Sequence, residues 1–182
     1  MLIYLSLIDS EDDKLKFEEI YIQYKQIMFY TANNILKDEH LSEDVVHNSF
    51  IKIIKNLSKI NQVNCPKTKA FIVIIVERTA IDLYRKRKKQ NIVSIEDDFY
   101  NTEISKSLIE NNNEDYDEID TAIANLPPNY RQVILLKFSH DYSDAEISKL
   151  LNISQDNVRK RIQRGKNKLK EILIELEVQS VE

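Results

Sequence analysis

"SDAEISKLLNISQDNVRKRIQRGKNKL", residues 143–169, contains two helix starts separated by one turn. Ser143 and Glu146 have the Ser-x-x-Glu spacing of a capping box, in which each side chain satisfies a backbone amide near the other. A short helix with Ile147, Leu150 and Leu151 follows. Asn152 stands at the turn, and asparagine accepts a left-handed backbone more readily than most residues. Ser154 then caps a long second helix, with Val158, Ile162, Leu169, Ile172, Leu173 and Leu176 on its buried stripe. A short helix, a tight turn and a long helix make a helix-turn-helix.

The second helix is unusually basic. Residues 153–169 hold six Lys or Arg side chains in a chain of formal net charge −4, and no acidic residue lies between 157 and 170. With the apolar stripe turned inward, Asn157, Arg159, Lys160, Gln163, Arg164, Lys166 and Asn167 fall on or beside the solvent face. In a helix-turn-helix this helix enters the major groove of DNA and its first residues reach base edges. Arg can fork onto guanine and Asn or Gln onto adenine, while other cations grip phosphates. Ser143, Ser154, Gln155 and Arg161 complete the candidate DNA-binding set. A solvated amphipathic face has the same charge pattern. The two caps at the right separation and the acid-free run favour DNA.

Outward from this segment the chain reads as all-α. It has 182 residues, one glycine and three prolines, and 42 % of its residues are hydrophobic, enough for packed cores but too few turn formers for sheets. Phe17, Ile20, Tyr21, Tyr24, Ile27, Met28, Thr31 and Ile35 share one helical face. A second helix is expected after a Ser42 cap, with Val46, Phe50, Ile53, Ile54 and Leu57 buried. Pro66 ends helical propagation, so residues 61–68 read as a loop, and a third helix is expected from about Lys69. That helix starts apolar and finishes with Arg85, Lys86, Arg87, Lys88 and Lys89. Between 91 and 120 ten acidic residues face one basic residue, Lys106. The expected organisation is therefore two small helical domains, 1–90 and 116–182, joined by a flexible acidic linker over 91–115.

These patterns together resemble bacterial sigma factors of the sigma-70 family, in the small two-domain extracytoplasmic-function (ECF) group. "LPPNYRQV" at 126–133, the Glu146–Ile147 pair, and Val158, Arg161 and Arg164 have the spacing of the family's C-terminal promoter-binding domain. "FEEIYIQYKQIMFYTANNILKDEHLSEDVVHNSFIKIIKNL" at 17–57 looks like its polymerase-binding helices. "TKAFIVIIVERTAIDLYRKRK" at 68–88 looks like its −10-recognising helix, with Asp82 and Arg85 in place. The chain departs from the pattern at His47, Phe71, Glu77, Arg78, Asp156 and Asn157, where the family commonly has Gln, Trp, Arg-Asn and Gly-Thr.

The resemblance implies a dissociable specificity subunit of RNA polymerase that binds promoter DNA and is held in check by an anti-sigma factor. It implies core-polymerase binding by Glu43, Asp44, His47 and Asn48, although an acidic cluster near a helix start also suits the helix dipole. It implies −10 contacts from Asn61, Gln62, Asn64, Lys69, Arg78, Arg85, Lys86, Arg87 and Lys88, and −35 contacts from the helix-turn-helix set. The loop at 61–64 equally fits a plain connector. The acidic segment from Glu96 to Asp120 fits either an RNA-mimicking strand in the polymerase or a simple tether.

Other classes fit less well. A stand-alone helix-turn-helix regulator shares the C-terminal pattern but would not bind core polymerase. "EDVVH" at 43–47 supplies half of a carboxylate di-metal site, and no second such unit exists. No phosphate loop, zinc motif or activated nucleophile is present, so no catalytic residue, metal or cofactor is expected. His40 and His140 read as solvated, and the single Cys65 as a loop-packing residue. The first ten residues lack a basic flank and about twenty apolar residues, so a cytoplasmic protein without membrane insertion is expected.

Overall fold

The computed structural model describes the backbone of residues 1–90 and 118–179, and side chains within 1–88 and 119–176. The acidic segment at 91–115 and Lys89's side chain lie outside these residues. Contacts divide the chain into two compact units, Met1–Ile95 and Glu96–Glu182. Every regular element described is helical.

The N-terminal unit contains α1 (Leu2–Leu5), α2 (Glu11–Leu36), α3 (Glu39–Ile54) and α4 (Pro66–Gln90). Ser10 opens α2 by accepting from the Asp13 amide, with Glu11, Asp12 and Asp13 at the positive end of the dipole. Lys37 closes it in the left-handed conformation at φ 53°, and its N–H donates to the Asn33 carbonyl. The chain re-enters a helix at once, because Asp38 accepts from the Leu41 amide at 3.0 Å. The cap of α3 is thus Asp38 and not Ser42. Ser42 is buried one turn in, and its hydroxyl donates back to the Asp38 carbonyl at 2.6 Å.

A second correction concerns α4, which begins at Pro66 rather than near Lys69. Proline ends a preceding helix but also suits the first position of a new one, where no amide is needed. Cys65 stands in the capping place: its Sγ receives the Thr68 amide at 3.4 Å. From Phe71 to Ala80 every residue of α4 is buried. This helix packs on both α2 and α3, which bury Phe17, Ile20, Tyr24 and Met28 from the first and Val45, Phe50 and Ile53 from the second.

The C-terminal unit contains α5 (Glu118–Asn125), α6 (Pro128–Ile134), a single π turn (Leu135–Ser139), α7 (Asp144–Leu151) and α8 (Gln155–Gln179). Helix α8 packs on α5, α6 and α7. Ala122, Leu126, Ile134 and Ile172 form one core, flanked by Leu169, Leu173 and Leu176. The Arg131 guanidinium is buried and donates through Nε and Nη2 to the Leu126 carbonyl at 3.3 and 2.9 Å, closing the α5–α6 turn. His140 is likewise buried rather than solvated, tucked in after the π turn. His40 is exposed but lies in the first turn of α3.

The chain's single glycine sets the α6–α8 approach. A Cβ on Gly165 would meet Ile134 Cγ1 and Tyr130 Cβ, each at 3.2 Å. Tyr130 Cβ is fixed to the backbone and yields little. Gly165→Val is therefore expected to destabilise this unit by about 1–3 kcal/mol through overpacking. Gly165→Ala should come out near neutral, since helix propensity returns about 1 kcal/mol. Thermal melts of the two variants check the contrast; equal melting temperatures for valine and wild type would show that the helices do not touch there.

Candidate nucleic-acid and polymerase interfaces

The helix-turn-helix geometry follows from its caps. Ser143 Oγ receives the Glu146 amide at 3.3 Å, while the Ser143 amide donates to Glu146 Oε2 at 2.7 Å. Asn152 adopts φ 49° and ψ 51°, and the Asn157 amide donates to Ser154 Oγ at 3.2 Å. Both serines are candidates for DNA contact by sequence; in the structure their hydroxyls serve the caps. The two helices are locked by Val158, Ile147 and Leu151, all buried.

Gln155, Asn157, Arg159, Lys160, Gln163, Arg164 and Lys166 are exposed on α8. Arg161 is half-buried, at the margin of the apolar stripe. Beside them stands Phe138, which sequence reasoning misses. Its ring is 52 % exposed, and Lys166 Nζ sits 4.7 Å from its centroid. The π turn delivers this aromatic to the surface, and no periodicity announces such a turn. At the head of α7, Asp144 is held below the usual carboxylate value, chiefly by the hydrogen bond from Lys137. It is ionised at neutral pH.

In the N-terminal unit, Glu43, Asp44, His47 and Asn48 are exposed on one side of α3, with Val45, Val46, Ser49 and Phe50 buried on the other. The structure adds a residue that sequence reasoning misses. Tyr4, on the four-residue α1, is buried against Phe17, Tyr21 and Phe50. Its hydroxyl lies 2.8 Å from His47 Nδ1. Burial raises the Tyr4 phenol above its ordinary value, so it stays protonated and hydrogen-bonded to the imidazole, with the donor set by the ring's tautomer. The N-terminal arm thereby orients one member of the α3 face. Between α1, α2 and α3 lies a groove of about 660 Å³, lined in part by Tyr21, Ile22, Tyr30, Glu43 and His47.

The −10 candidates divide. Asn61, Gln62, Lys86 and Arg87 are exposed, and Lys69, Arg85 and Lys88 are half-exposed. Asn64 is exposed, with its Oδ1 held by Gln23 Nε2 at 2.8 Å. Arg78 does not face solvent. Its side chain is 6 % exposed and pairs with Asp82 at 3.2 Å, so its charge serves the interior. Lys52 joins the same seam, donating to Thr79 Oγ1 at 2.9 Å, and burial lowers its pKa.

Family models match both units in order: sigma-70 region 2 over residues 20–90, and sigma-70 region 4 over 116–169. RNA polymerase sigma factor SigV of Bacillus subtilis (strain 168) is 31 % identical over 145 residues, covering 78 % of this chain and 81 % of SigV. The ECF sigma factors SigM and SigW of the same organism are 26 % and 27 % identical. They cover 86 % and 92 % of the chain, and 94 % of each relative. The chain belongs to the ECF group of the sigma-70 family. Region 2 thus takes in most of α2 with α3 and α4, and region 4 the helix-turn-helix unit, while α1 precedes the matched part of region 2. A solved sigma factor RpoE bound to the anti-sigma factor NepR, from Bartonella quintana, covers 87 % of this sigma factor and 96 % of its own chain. The two chains are 17 % identical, with a TM-score of 0.37.

Among the described residues no cluster of three or more His, Cys, Asp or Glu side chains is placed to hold a metal. No described helix is long and apolar enough to cross a membrane.

Proposed function

We propose that this sigma factor binds core RNA polymerase through the exposed face of α3 and directs it to promoters through two separate DNA-reading surfaces, itself performing no catalysis. The end of α4 with the loop before it serves the −10 element, and α7–α8 serves the −35 element. The observation that carries the reading is the pairing of both family regions, in order, with two cation-bearing helical units. The exposed Lys86 and Arg87 suit phosphate contacts, and the polar Asn61 and Gln62 suit the edges of an unstacked base. Arg78 is withdrawn from this set because its guanidinium is buried. The working place is the cytoplasm, where the polymerase acts, and an anti-sigma factor is a proposed partner on family grounds.

Transcription with purified core polymerase on fragmented genomic DNA tests the whole. The expected result is a new set of start sites sharing two upstream elements. Glu43→Lys with Asp44→Lys should weaken core binding on the order of tenfold at low salt while leaving the fold intact, because both side chains are exposed. Tight specific duplex binding by the chain alone, with no redirection of the polymerase, would instead identify a stand-alone regulator.

A further inference from the structure

Arg159 is gripped by two carboxylates from different helices. Its Nε lies 3.6 Å from Asp144 Oδ2 on α7, and its Nη1 lies 3.5 Å from Asp156 Oδ1 on α8. Asp144 is anchored in turn by Lys137 Nζ at 2.7 Å, from the π turn. Three elements therefore converge on one guanidinium. Lys160 Nζ also comes within 4.0 Å of Asp156.

The arrangement is costly for a surface that meets phosphates. An acidic residue at the head of each of these two helices repels the DNA backbone, and exposed ion pairs at these distances stabilise little. What they accomplish is orientation. An arginine on a surface helix sweeps through many rotamers, and restraining it in advance removes the entropy lost on ordering. Asp144 lies against Nε and Asp156 takes one hydrogen of Nη1, which leaves the other hydrogen of Nη1 and both of Nη2 for an outside acceptor. Parallel N–H donors from the two terminal nitrogens match the acceptor pair O6 and N7 of guanine in the major groove.

We propose that Asp144 and Asp156 are positioning residues for Arg159, fixing its guanidinium to read guanine at one base pair of the upstream promoter element. The proposal rests on the assignment of α8 to that element. It makes an unusual pair of demands. Removing the carboxylates should lower base discrimination and raise general affinity together. A residue that touched DNA directly would lose both, and a simple repulsive charge would change affinity alone.

The test uses holoenzyme assembled from core polymerase and the full chain, on a promoter library randomised across the upstream element. In Asp144→Asn/Asp156→Asn, guanine preference at one base pair should fall about three- to tenfold, with the other positions unchanged. Binding at low salt should tighten. Arg159→Lys keeps the charge and loses the fork; it should relax the same base pair without tightening. Should loss of the Lys137–Asp144 bond disturb the fold, seen as a shifted melting transition, Asp156→Asn alone carries the test, since its carboxylate is 73 % exposed. Unchanged preference in the Asn variants, alongside relaxed preference in Arg159→Lys, overturns the positioning role and leaves the −35 assignment standing. A wild-type holoenzyme with no upstream base preference overturns both.

Discussion

Phe50→Ala is expected to cost the N-terminal unit about 3–5 kcal/mol, the range for emptying a fully buried aromatic site. Phe50 has no exposed surface, and its ring lies 5.0 Å from Tyr21, 5.4 Å from Tyr4 and 5.6 Å from Phe17. Those three rings come from α1 and α2, so the void would open where three helices meet. Small domains have about 5–15 kcal/mol of net stability, so the loss takes a large share of it. For a unit of this size it corresponds to a melting temperature lower by roughly 15–30 °C. Calorimetry on the full chain should show the transition of the N-terminal unit shifted and that of the C-terminal unit in place. Ile22→Ala in the same unit, at 77 % exposure, should move neither. If Phe50→Ala melts like wild type, the aromatic cluster is not the keystone of the unit. The substitution should also weaken core-polymerase binding beyond its effect on folding, because Phe50 backs the Tyr4–His47 contact.

The helix-turn-helix is readable in the sequence because its determinants are local. A capping box, an asparagine turn and a serine cap each work within four residues, so the sequence spells them directly. The same logic misplaces the start of α3. Asp38 and Ser42 are both good caps, and the choice falls to Asp38 because a left-handed Lys37 ends α2 immediately before it. Helix α1 is invisible to pattern reading for the opposite reason. Four residues have no period, and α1 is held by long-range contacts from Tyr4 to His47 and Phe50. Arg78 shows what charge counting misses. It precedes the basic run of α4 by one turn or two, yet packs inward against Asp82 while Lys86 and Arg87 stay out. The reason for Gly165 is not local to its helix but lies across the core at Tyr130 and Ile134.

Reversing Arg159 and Arg164 to Glu should reduce use of upstream-element promoters about a hundredfold or more while core-polymerase binding holds. Each good arginine–base contact discriminates by about 1–3 kcal/mol, and reversal adds repulsion from phosphates to the missing attraction. Both side chains are exposed on α8, so the fold is expected to survive. Arg161 is a poorer target, because it is half-buried beside the apolar stripe and its reversal would mix folding with recognition. The salt dependence separates two kinds of interaction. If the side chain at either position grips a phosphate, its removal lowers the slope of log K against log salt by about one, uniformly across sequences. If it reads a base, its removal leaves the slope nearly alone and relaxes preference at one base pair. Arg159, with its guanidinium clasped by Asp144 and Asp156, should behave as the base reader. Start-site mapping at two salt concentrations with each single reversal decides the matter. Equal promoter use by wild type and the double variant would mean that α8 never meets the DNA, whatever its charge.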